Sequence, residues 1–544
     1  MGGYQMKIER ILIEDQMAPI GLDEKKPAFS WLLTAEEGEQ NLMQSACRIV
    51  VRTGEDTVWD SGKMETGVST GIGYEGEALQ PCTKYEVKAE VWDNHGGKAE
   101  AESSFETGLM DSLYAAWEGA EWIGAPHATV CAENRGVFTI ESEFRMEGGK
   151  GEAGIVFGAN DFRLNDHTKN ELGMEGENYI RYAVCLEDGD ARLEIYRVGY
   201  APEDTAEKPF AVTKLVNWKE KTQEILTPEN ADAFHKLTVE VDGNVAYAYV
   251  DGILVDAIEE HGFFGTKVSG RQLNPRGNND VLPYPRLNEI GFYAGKGTTG
   301  YFKNLTVRNV RKPSAEIVRE TPEGRLDGGK SIFADQIPVE NGYFKVEDSQ
   351  ITADPSHHSI PMLRSCISCQ KEKKLASARL YITARGIYDC RINGQEITED
   401  LLRPGLTQYD HRMNYQTYDI TGLMKPGRNG IGVTLASGWW SEAQTFVVKN
   451  FNYFGDKESL LAKVVMKYED GSREVFGTNT EDWKYFGEGP YLFSSYFAGE
   501  QYDARRAEVY ETYSLPEFDD STWEKPVVVD TVMIEEFCTM PGFG

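Results

Sequence analysis

The sequence predicts an all-β protein made of serial antiparallel β-sandwiches, and three observations lead to this fold class. Apolar residues recur at every second position, the period at which successive side chains of a strand point to opposite faces of a sheet. Asp-Gly and Asn-Gly dipeptides, which tolerate the positive φ of tight hairpin turns, interrupt these stretches. Long apolar stretches with a period of 3.6 residues are almost absent, so helices are expected only as short linkers such as 110–117.

The length of the chain divides this fold into several units. A single hydrophobic core rarely organises more than about 250–300 residues, so 544 residues predict about three to five domains. We place one sandwich at 6–110, a second at 129–312 and a third at 330–530. The joins are two polar, turn-rich stretches at 117–124 and 311–329.

The alternation is clearest in the second unit, around two Asp-Gly dipeptides. Apolar side chains alternate before the first dipeptide, between the two and after the second, which predicts a three-stranded meander. The residues concerned are Leu237, Val239, Val241, Asp242, Gly243, Val245, Tyr247, Tyr249, Asp251, Gly252 and Ile253. Similar stretches at 85–91, 380–392 and 462–468 predict strands in the first and third units.

The charge balance excludes two classes of partner. The chain has 56 basic and 88 acidic residues, and the net charge of −32 repels the phosphates of nucleic acids and anionic membrane surfaces. No stretch approaches the ~18 consecutive apolar residues of a membrane-spanning helix, and the first residues lack a signal-peptide pattern. We therefore expect no nucleic-acid partner, no membrane contact and a cytoplasmic location.

Cysteine and histidine spacing predicts neither disulfides nor a metal site. The eight cysteines are scattered along the chain, as in a protein with reduced thiols. Cys366 and Cys369 form one close pair, with His357 and His358 upstream, but a tetrahedral zinc site needs a second pair at suitable spacing. The acidic loop 160–166 is a weak calcium candidate. No cofactor is expected, with calcium as the one alternative.

A series of motifs runs through the first unit in a fixed order. It consists of Ile20-Gly-Leu-Asp23, Pro27-Ala-Phe-Ser-Trp31, Cys47-Arg-Ile49, Trp59-Asp-Ser-Gly62, Val91-Trp92-Asp93 and Phe105-Glu-Thr-Gly-Leu109. This series resembles the N-terminal fibronectin-III-like module of bacterial α-L-rhamnosidases of glycoside hydrolase family 78. The spacing is kept across the whole first unit.

A second series lies in the third unit. It includes Ala378-Arg-Leu380, Asn393-Gly394, Leu402-Arg-Pro-Gly405, Tyr415-Gln-Thr-Tyr-Asp-Ile420, Gly438-Trp-Trp440, Gly499-Glu-Gln-Tyr-Asp-Ala-Arg505 and Phe518-Asp-Asp-Ser-Thr-Trp523. This series resembles the β-sandwich that precedes the catalytic barrel in the same family. The strands of the second unit, which end in 300–307, look like a concanavalin-like, laminin-G-type jelly roll, a fold used for glycan binding and also as a spacer.

The resemblance implies a division of labour between domains. In this family the catalytic carboxylates sit on a following (α/α)6 barrel, and the barrel's acidic signatures find no counterpart in this sequence. No catalytic residue is therefore carried over. We expect accessory β modules of a truncated rhamnosidase, inactive alone, with a rhamnose-containing carbohydrate and a catalytic barrel, in cis or in trans, as partners.

Five residues are the candidates for substrate contact. Trp439 and Trp440 follow a glycine at a strand end and cannot easily point both rings one way, so one is expected in the core, and the other is a candidate for lining a cleft, with a place in the core as the alternative. Glu500, Asp503 and Arg505 lie in the motif expected to face the barrel. The alternative for these three is a structural ion-pair network at a domain joint.

Two other functions stay open. A stand-alone carbohydrate-binding protein would use the concave face of the second unit, with Tyr179, Tyr182 or Tyr196 forming an exposed aromatic platform. A glycosidase with a site between sandwiches would need a pair of carboxylates, and 88 acidic residues offer no means of choosing one.

Overall fold

A computed structural model of the chain describes residues 6–539 apart from several internal segments. Those segments are 36–40, 127–136, 161–176, 188–189, 202, 217–224, 228, 243–244, 256–267, 274–286, 310–311, 327, 356–358, 442–453, 456, 497–498 and 530–535. The described residues form three antiparallel β-sandwiches in series, which confirms the predicted fold class.

The first sandwich packs a three-stranded sheet against a four-stranded sheet. Its strands are β1 (Met6–Ile13), β2 (Ala28–Ala35), β3 (Gln44–Thr53), β4 (Asp56–Asp60), β5 (Ile72–Gly73), β6 (Lys84–Asp93) and β7 (Lys98–Glu106). The sheet orders are β1-β2-β5 and β4-β3-β6-β7. A 3-10 helix (Tyr114–Trp117) and the short strand β8 (Ile123–Gly124) follow.

The second sandwich has a six-stranded and an eleven-stranded sheet. Its strands are β9 (Val137–Met146), β10 (Gly151–Ala159), β11 (Tyr179–Glu187), β12 (Asp190–Val198), β13 (Phe210–Leu215), β14 (His235–Asp242), β15 (Val245–Val250), β16 (Ile253–Leu254), β17 (Val268–Ser269), β18 (Glu289–Ala294), β19 (Thr299–Phe302), β20 (Leu305–Asn309), β21 (Lys312–Thr321), β22 (Gly324–Arg325), β23 (Val339–Glu340), β24 (Tyr343–Glu347) and β25 (Gln350–Ala353). A 3-10 helix (Glu147–Gly149) and α1 (Gly270–Leu273) complete it. The six-stranded order is β13-β12-β11-β10-β18-β25.

The third sandwich has a five-stranded and a seven-stranded sheet, plus a two-stranded ribbon. Its strands are β26 (Met362–Cys369), β27 (Leu375–Arg385), β28 (Ile387–Ile392), β29 (Gln395–Glu396), β30 (Arg412–Asp419), β31 (Gly427–Ala436), β32 (Ser459–Tyr468), β33 (Arg473–Gly477), β34 (Lys484–Phe486), β35 (Tyr491–Ser495), β36 (Gly499–Tyr502), β37 (Val527–Val528) and β38 (Glu536–Thr539). The helices are α2 (Gly438–Ser441), α3 (Ala507–Thr512) and two 3-10 turns at Thr421–Leu423 and Ala504–Arg506. No helix among the described residues is long and apolar enough to cross a membrane.

The predicted meander of the second unit is present. Strand β14 pairs with β15 from Leu237 opposite Val250 to Asp242 opposite Val245, and β15 pairs with β16. Along β15 every second residue is buried, as the alternation requires. Each sandwich closes over its own core, which contains Trp31 in the first and Phe292 in the second.

The second sandwich continues beyond the boundary predicted at 312. Strand β21 pairs with β20, β24 pairs with β19, and β25 pairs with β18. Residues predicted as a linker and as the start of the third unit therefore belong to the second sandwich. Ile317 and Val318 of β21 are buried in the core of the second sandwich, although the rest of the strand is polar in sequence.

The segment that follows the first sandwich in sequence, which includes Trp117, Trp122 and β8, packs into the third sandwich. Strand β8 pairs with β32 and β37. Trp117 and Trp122 are fully buried and share a cluster with Tyr415, Val465 and Phe537. The first sandwich is thus attached to the third by a common apolar core, and a strand from before the second sandwich completes a sheet of the third.

Two glycines of β31 leave room for the segment that contains Tyr513 and Ser514, which packs closely against this strand. A Cβ on Gly430 would lie 2.3 Å from the carbonyl oxygen of Ser514, and one on Gly432 would lie 2.5 Å from the ring of Tyr513. Only a residue without a side chain allows this backbone approach. The buried Arg364 then fixes the segment, because its Nε donates to the Tyr513 carbonyl at 2.7 Å.

Candidate functional site

An open cleft of about 450 Å³ lies at one end of the third sandwich. It is formed where β28 begins and β31 ends, and the β35–β36 ribbon and α3 close its far side. The polar groups that line it include Asp389, Arg403 and Glu500, and its tyrosines include Tyr491 and Tyr510. A volume of this size lies in the range of small-molecule sites, which are mostly apolar with a few convergent polar groups.

Asp389 is held in place by two donors at the wall of the cleft. Arg403 Nη2 donates to Asp389 Oδ1 at 3.2 Å, and Tyr510 Oη donates to Asp389 Oδ2 at 3.1 Å. Burial raises the pKa of Tyr510, so its phenol stays a donor at neutral pH. Both oxygens of Asp389 accept a hydrogen bond, and this orients the carboxylate toward the cleft wall.

Glu500 lies on the opposite wall and is exposed. It faces Ser494 across the ribbon, and Ser494 Oγ donates to Glu500 Oε1 at 3.1 Å. The cross-strand pair fixes one carboxylate oxygen and leaves the group open to solvent.

Tyrosine rings form an aromatic wall between these two carboxylates. The ring of Tyr491 lies 5.1 Å from that of Tyr510 at 74° and 4.9 Å from that of Tyr502 at 62°. Edge-to-face packing of this kind fixes the rings, and the guanidinium of Arg391 covers the ring of Tyr510, 4.6 Å from its centre.

The rim of the cleft is apolar and exposed. Leu401 is 83% exposed and Leu402 is 50% exposed, and both line the cleft. Leu402 also holds a φ of +60°, a left-handed conformation in which a leucine is strained. Large apolar side chains exposed side by side are typical of surfaces that another molecule covers.

The two predicted tryptophans differ in burial. Trp440 is 3% exposed and packs against Tyr409 and Phe454 in the core. Trp439 is half-buried, and its ring lies 4.4 Å from that of Tyr496, which lines the cleft. Trp439 therefore supports the wall of the cleft from behind. A role in substrate contact for either residue stays a prediction.

Asp503 and Arg505 form a local pair beside the cleft. Asp503 caps the turn at Ala504–Arg506 by accepting from the Arg505 backbone N–H, and it also accepts from Arg505 Nε at 2.8 Å. The side-chain hydrogen bond from Arg505 lowers the pKa of Asp503 to about 2. Glu500 is not part of this pair. The structure thus joins two of the three predicted residues in an ion pair and brings the third to the cleft.

The predicted aromatic platform of the second sandwich is incomplete. Tyr182 points into the core and is fully buried, because strand alternation places it on the inner face, so its proposed exposure is wrong. Tyr179 and Tyr196 are on the outer face. The guanidinium of Arg181 covers this face, 4.3 Å from the ring centre of Tyr196 and 3.7 Å from that of Tyr293. The rings are thus occupied by a neighbouring side chain.

Two other depressions are lined by side chains that pair with each other. One of about 490 Å³ lies on the first sandwich, where Arg48 pairs with Glu90 at 3.4 Å. One of about 510 Å³ lies at the segment that follows the first sandwich, where Lys463 Nζ donates to Glu118 Oε1 at 2.8 Å and Arg473 pairs with the same carboxylate. The charged side chains at both depressions form ion pairs with other residues of the fold.

The predicted metal candidates receive no support from the described residues. No group of three His, Cys, Asp or Glu side chains in the described part of the chain could hold a metal ion. Cys369 is buried, and Cys366 accepts from Arg428 Nε at 3.0 Å. His357, His358 and most of the loop 160–166 lie outside the described residues, so calcium binding stays a prediction.

Sequence patterns missed Asp389, Arg403, Tyr491 and Tyr510. Asp389 stands between the inward-facing Tyr388 and Cys390, and strand alternation alone placed it on the other face. In the sequence it is a carboxylate within a predicted strand, and carboxylates also occur at many solvent-exposed strand positions. The partners come from distant segments, and only the folded chain brings them together.

Comparison with known proteins places the first and third sandwiches in one family. A model of the α-L-rhamnosidase N-terminal domain matches residues 373–538. A model of the Rha78A-like N-terminal immunoglobulin domain matches residues 8–111. The second description names an immunoglobulin rather than a fibronectin-III domain. Both are antiparallel sandwiches, and the fibronectin-III type of the first unit stays a prediction.

Whole-chain comparisons lead to the same family. An α-L-rhamnosidase of Streptomyces avermitilis is 27% identical over 523 residues, which cover 94% of this chain and 44% of that enzyme. An α-L-rhamnosidase of Formosa agariphila is 37% identical over 152 residues, 28% of this chain and 16% of that enzyme. The chain thus spans less than half the length of these relatives.

A solved structure shares the fold. The crystal structure of the Streptomyces avermitilis α-L-rhamnosidase complexed with L-rhamnose has a TM-score of 0.55 and 20% sequence identity, and the match covers 98% of this chain and 46% of that one. At this identity the likeness shows the fold alone. The two domain matches and the alignment over 94% of the chain lead to one conclusion: the first and third sandwiches are domains of the α-L-rhamnosidase family of glycoside hydrolases.

Proposed function

We propose that the three sandwiches are accessory modules of an α-L-rhamnosidase that acts on rhamnose-containing glycans or glycosides. They scaffold and flank the active site, while a catalytic (α/α)6 domain, in cis or in trans, carries out hydrolysis. The names of the relatives support the substrate class. The described residues support the division of labour, because they form sheets and contain no helix longer than the six residues of α3.

The observation that carries this proposal is the apolar rim of the cleft. Leu401 and Leu402 line the same cleft as Glu500, and Tyr502 of the ribbon is 45% exposed. Adjacent apolar side chains exposed at a cleft are a candidate contact surface for another domain. A catalytic domain that docks on this rim would bring its own active site next to the cleft.

The rigid joint of the first and third sandwiches suits this role. Tyr415 Oη donates to Asp23 Oδ2 at 2.7 Å and accepts from the Leu109 backbone N–H at 2.8 Å. These bonds hold the two sandwiches in one orientation, so the cleft is presented by a stiff body. A docked domain then finds its contact surface already organised.

Hydrolysis of an aryl α-L-rhamnoside tests the proposal. The 544-residue chain should give no turnover, and the polypeptide extended to the next stop codon, or the chain mixed with the neighbouring gene product, should give turnover. Turnover by the 544-residue chain alone would overturn the accessory role and place a catalytic carboxylate pair inside the sandwiches.

Two aspartate substitutions then test the rim. Leu401→Asp puts a charge into the proposed contact and should lower turnover of the extended or mixed enzyme at least about tenfold. Leu254→Asp makes the same change at a 44% exposed leucine of the second sandwich and should leave turnover unchanged. Equal turnover in the two variants would show that the catalytic domain docks elsewhere.

A further inference from the structure

The cleft of the third sandwich carries one excess negative charge. Of its charged lining groups in the described part of the chain, Asp389 and Arg403 are paired at 3.2 Å and cancel. Glu500 remains, with a serine hydroxyl as its hydrogen-bond partner. Arg391 lies 4.0 Å from Asp389 but is paired with Glu396 at 2.9 Å, so the described charges at the cleft leave one carboxylate in excess.

The rest of the molecule strengthens this field. The chain carries a net charge of −32, and at low salt the Debye length of about 10 Å at 0.1 M lets neighbouring charges act on the cleft. Anionic ligands are repelled both on approach and when bound. A neutral ligand meets no such penalty.

The hydrogen-bonding groups fit hydroxyls. Carboxylates only accept, and Arg403 and Tyr510 already donate to Asp389, so the exposed Glu500 is the carboxylate that needs donors, which sugar hydroxyls supply. The ring of Tyr491 offers a surface against which the C–H face of a pyranose can pack, and Ile360 and Ile387 add apolar lining. The volume of about 450 Å³ suits a ligand of one or two sugar rings.

We propose that this cleft is a subsite for the neutral sugar next to rhamnose, and that it rejects glycosides in which that neighbouring sugar is a uronic acid. The proposal rests on the proposed function for the presence of rhamnose, and on the charge and chemistry of the cleft for the neutral neighbour. The substrate class is therefore neutral rhamnosides rather than rhamnose–uronate glycans.

A matched pair of disaccharides tests the proposal by titration calorimetry on the 544-residue chain. The probes are α-L-rhamnopyranosyl-(1→4)-D-glucose and α-L-rhamnopyranosyl-(1→4)-D-glucuronic acid, which differ in one carboxylate. At 20 mM salt the uronate should bind at least about fivefold more weakly than the neutral probe. At 500 mM salt the difference should shrink, because screening removes the repulsion.

Substitution of Glu500 gives a signature that a structural defect cannot imitate. Glu500→Gln should weaken the neutral probe about threefold, because a charge-assisted acceptor is lost, and should strengthen the uronate about fivefold. Glu372→Gln makes the same charge change at an exposed residue outside the cleft and should alter neither. Both glutamates are exposed, so both variants are expected to fold.

Three results would overturn the subsite. The first is binding of the uronate that equals or exceeds that of the neutral probe. The second is no binding of either probe at 20 mM salt. The third is the same effect from Glu372→Gln as from Glu500→Gln. Failure of the accessory role would show itself separately, as turnover of an aryl rhamnoside by the chain alone. The binding experiment contains no hydrolysis step and so does not depend on that outcome.

Discussion

Arg379 of the third sandwich forms a bidentate ion pair with Glu106 of the first. Its Nε and Nη2 donate to the two carboxylate oxygens at 2.6 and 2.5 Å, and the side chains are only 12% and 15% exposed. Parallel hydrogen bonds of this type are the strongest that side chains make with each other. The pair ties the last strand of the first sandwich, β7, to β27.

Replacing Arg379 by Met should destabilise the joint by about 2–3 kcal/mol, because Glu106 would stay largely buried without its cation. Urea denaturation followed by tryptophan fluorescence measures this, since Trp117 and Trp122 lie in the shared core. Lys374→Met breaks an exposed ion pair with Glu469 and should change the free energy by less than about 0.5 kcal/mol. Equal effects of the two substitutions would contradict a special role for the joint.

Removal of one hydroxyl should also loosen the joint. Tyr415→Phe deprives Asp23 of a donor and the Leu109 N–H of an acceptor, so the free energy of unfolding should fall by about 2 kcal/mol. Tyr114→Phe removes a hydroxyl whose ring is 41% exposed and should cost less than half as much. A Tyr415→Phe protein as stable as the parent would show that water replaces these bonds.

A single methyl group should displace the segment that covers β31. Gly432→Ala places a Cβ 2.5 Å from the Tyr513 ring, and the segment must shift, at a cost of about 2–4 kcal/mol. Gly422→Ala adds the same methyl where nothing lies within 4 Å and should be neutral within about 0.5 kcal/mol. Thermal unfolding of the two variants beside the parent distinguishes steric clash from a general effect of losing glycine.

Glu118 should make stability depend on pH below about 5. The hydrogen bond from Arg473, followed by that from Lys463, lowers its pKa to about 2 from the usual glutamate value of 4.5. The folded state thus holds the carboxylate ionised, so the stabilisation is complete above the unfolded pKa of 4.5 and is lost as pH falls toward 2. Glu118 is 37% exposed, and screening by solvent reduces the gain to about 1 kcal/mol.

Glu118→Gln measures this contribution. The variant should be less stable than the parent at pH 7, and the difference should vanish as pH approaches 2. Free energies of unfolding at pH 7, 4 and 2 give the comparison, with Glu372→Gln as the exposed control. A difference that stays constant with pH would show that Glu118 acts through packing instead of charge.

The fold was predictable because its signal is local. Alternation around Asp251-Gly252 determines a hairpin within a few residues, and β14, β15 and β16 follow it. Sheet membership is not local, and nothing in the residues of β24 or β25 tells which sandwich they join. The boundary predicted at 312 was wrong for this reason, because strand pairing across 40 to 60 residues decides it.

The residues of the site also differ in whether the sequence alone could indicate them. Glu500 could be singled out because it stands in a recognisable motif, whereas Asp389 stands in an ordinary alternating strand. Asp389 acquires its surroundings from Arg403 and Tyr510, which are 14 and 121 residues away. Because these residues lie so far apart in the sequence, no motif spacing indicates that they form a cluster.

Strand β8 has a consequence for how the chain is made on the ribosome. Ile123 emerges before the second sandwich, but its partner Leu460 emerges more than 300 residues later. At about 5–20 residues per second, the edge of β8 and the apolar rings of Trp117 and Trp122 wait for roughly 20 to 70 s. The first two sandwiches can fold during that time. The nascent chain therefore exposes an apolar patch, formed by Trp117 and Trp122, between two folded domains until the third sandwich forms and buries it.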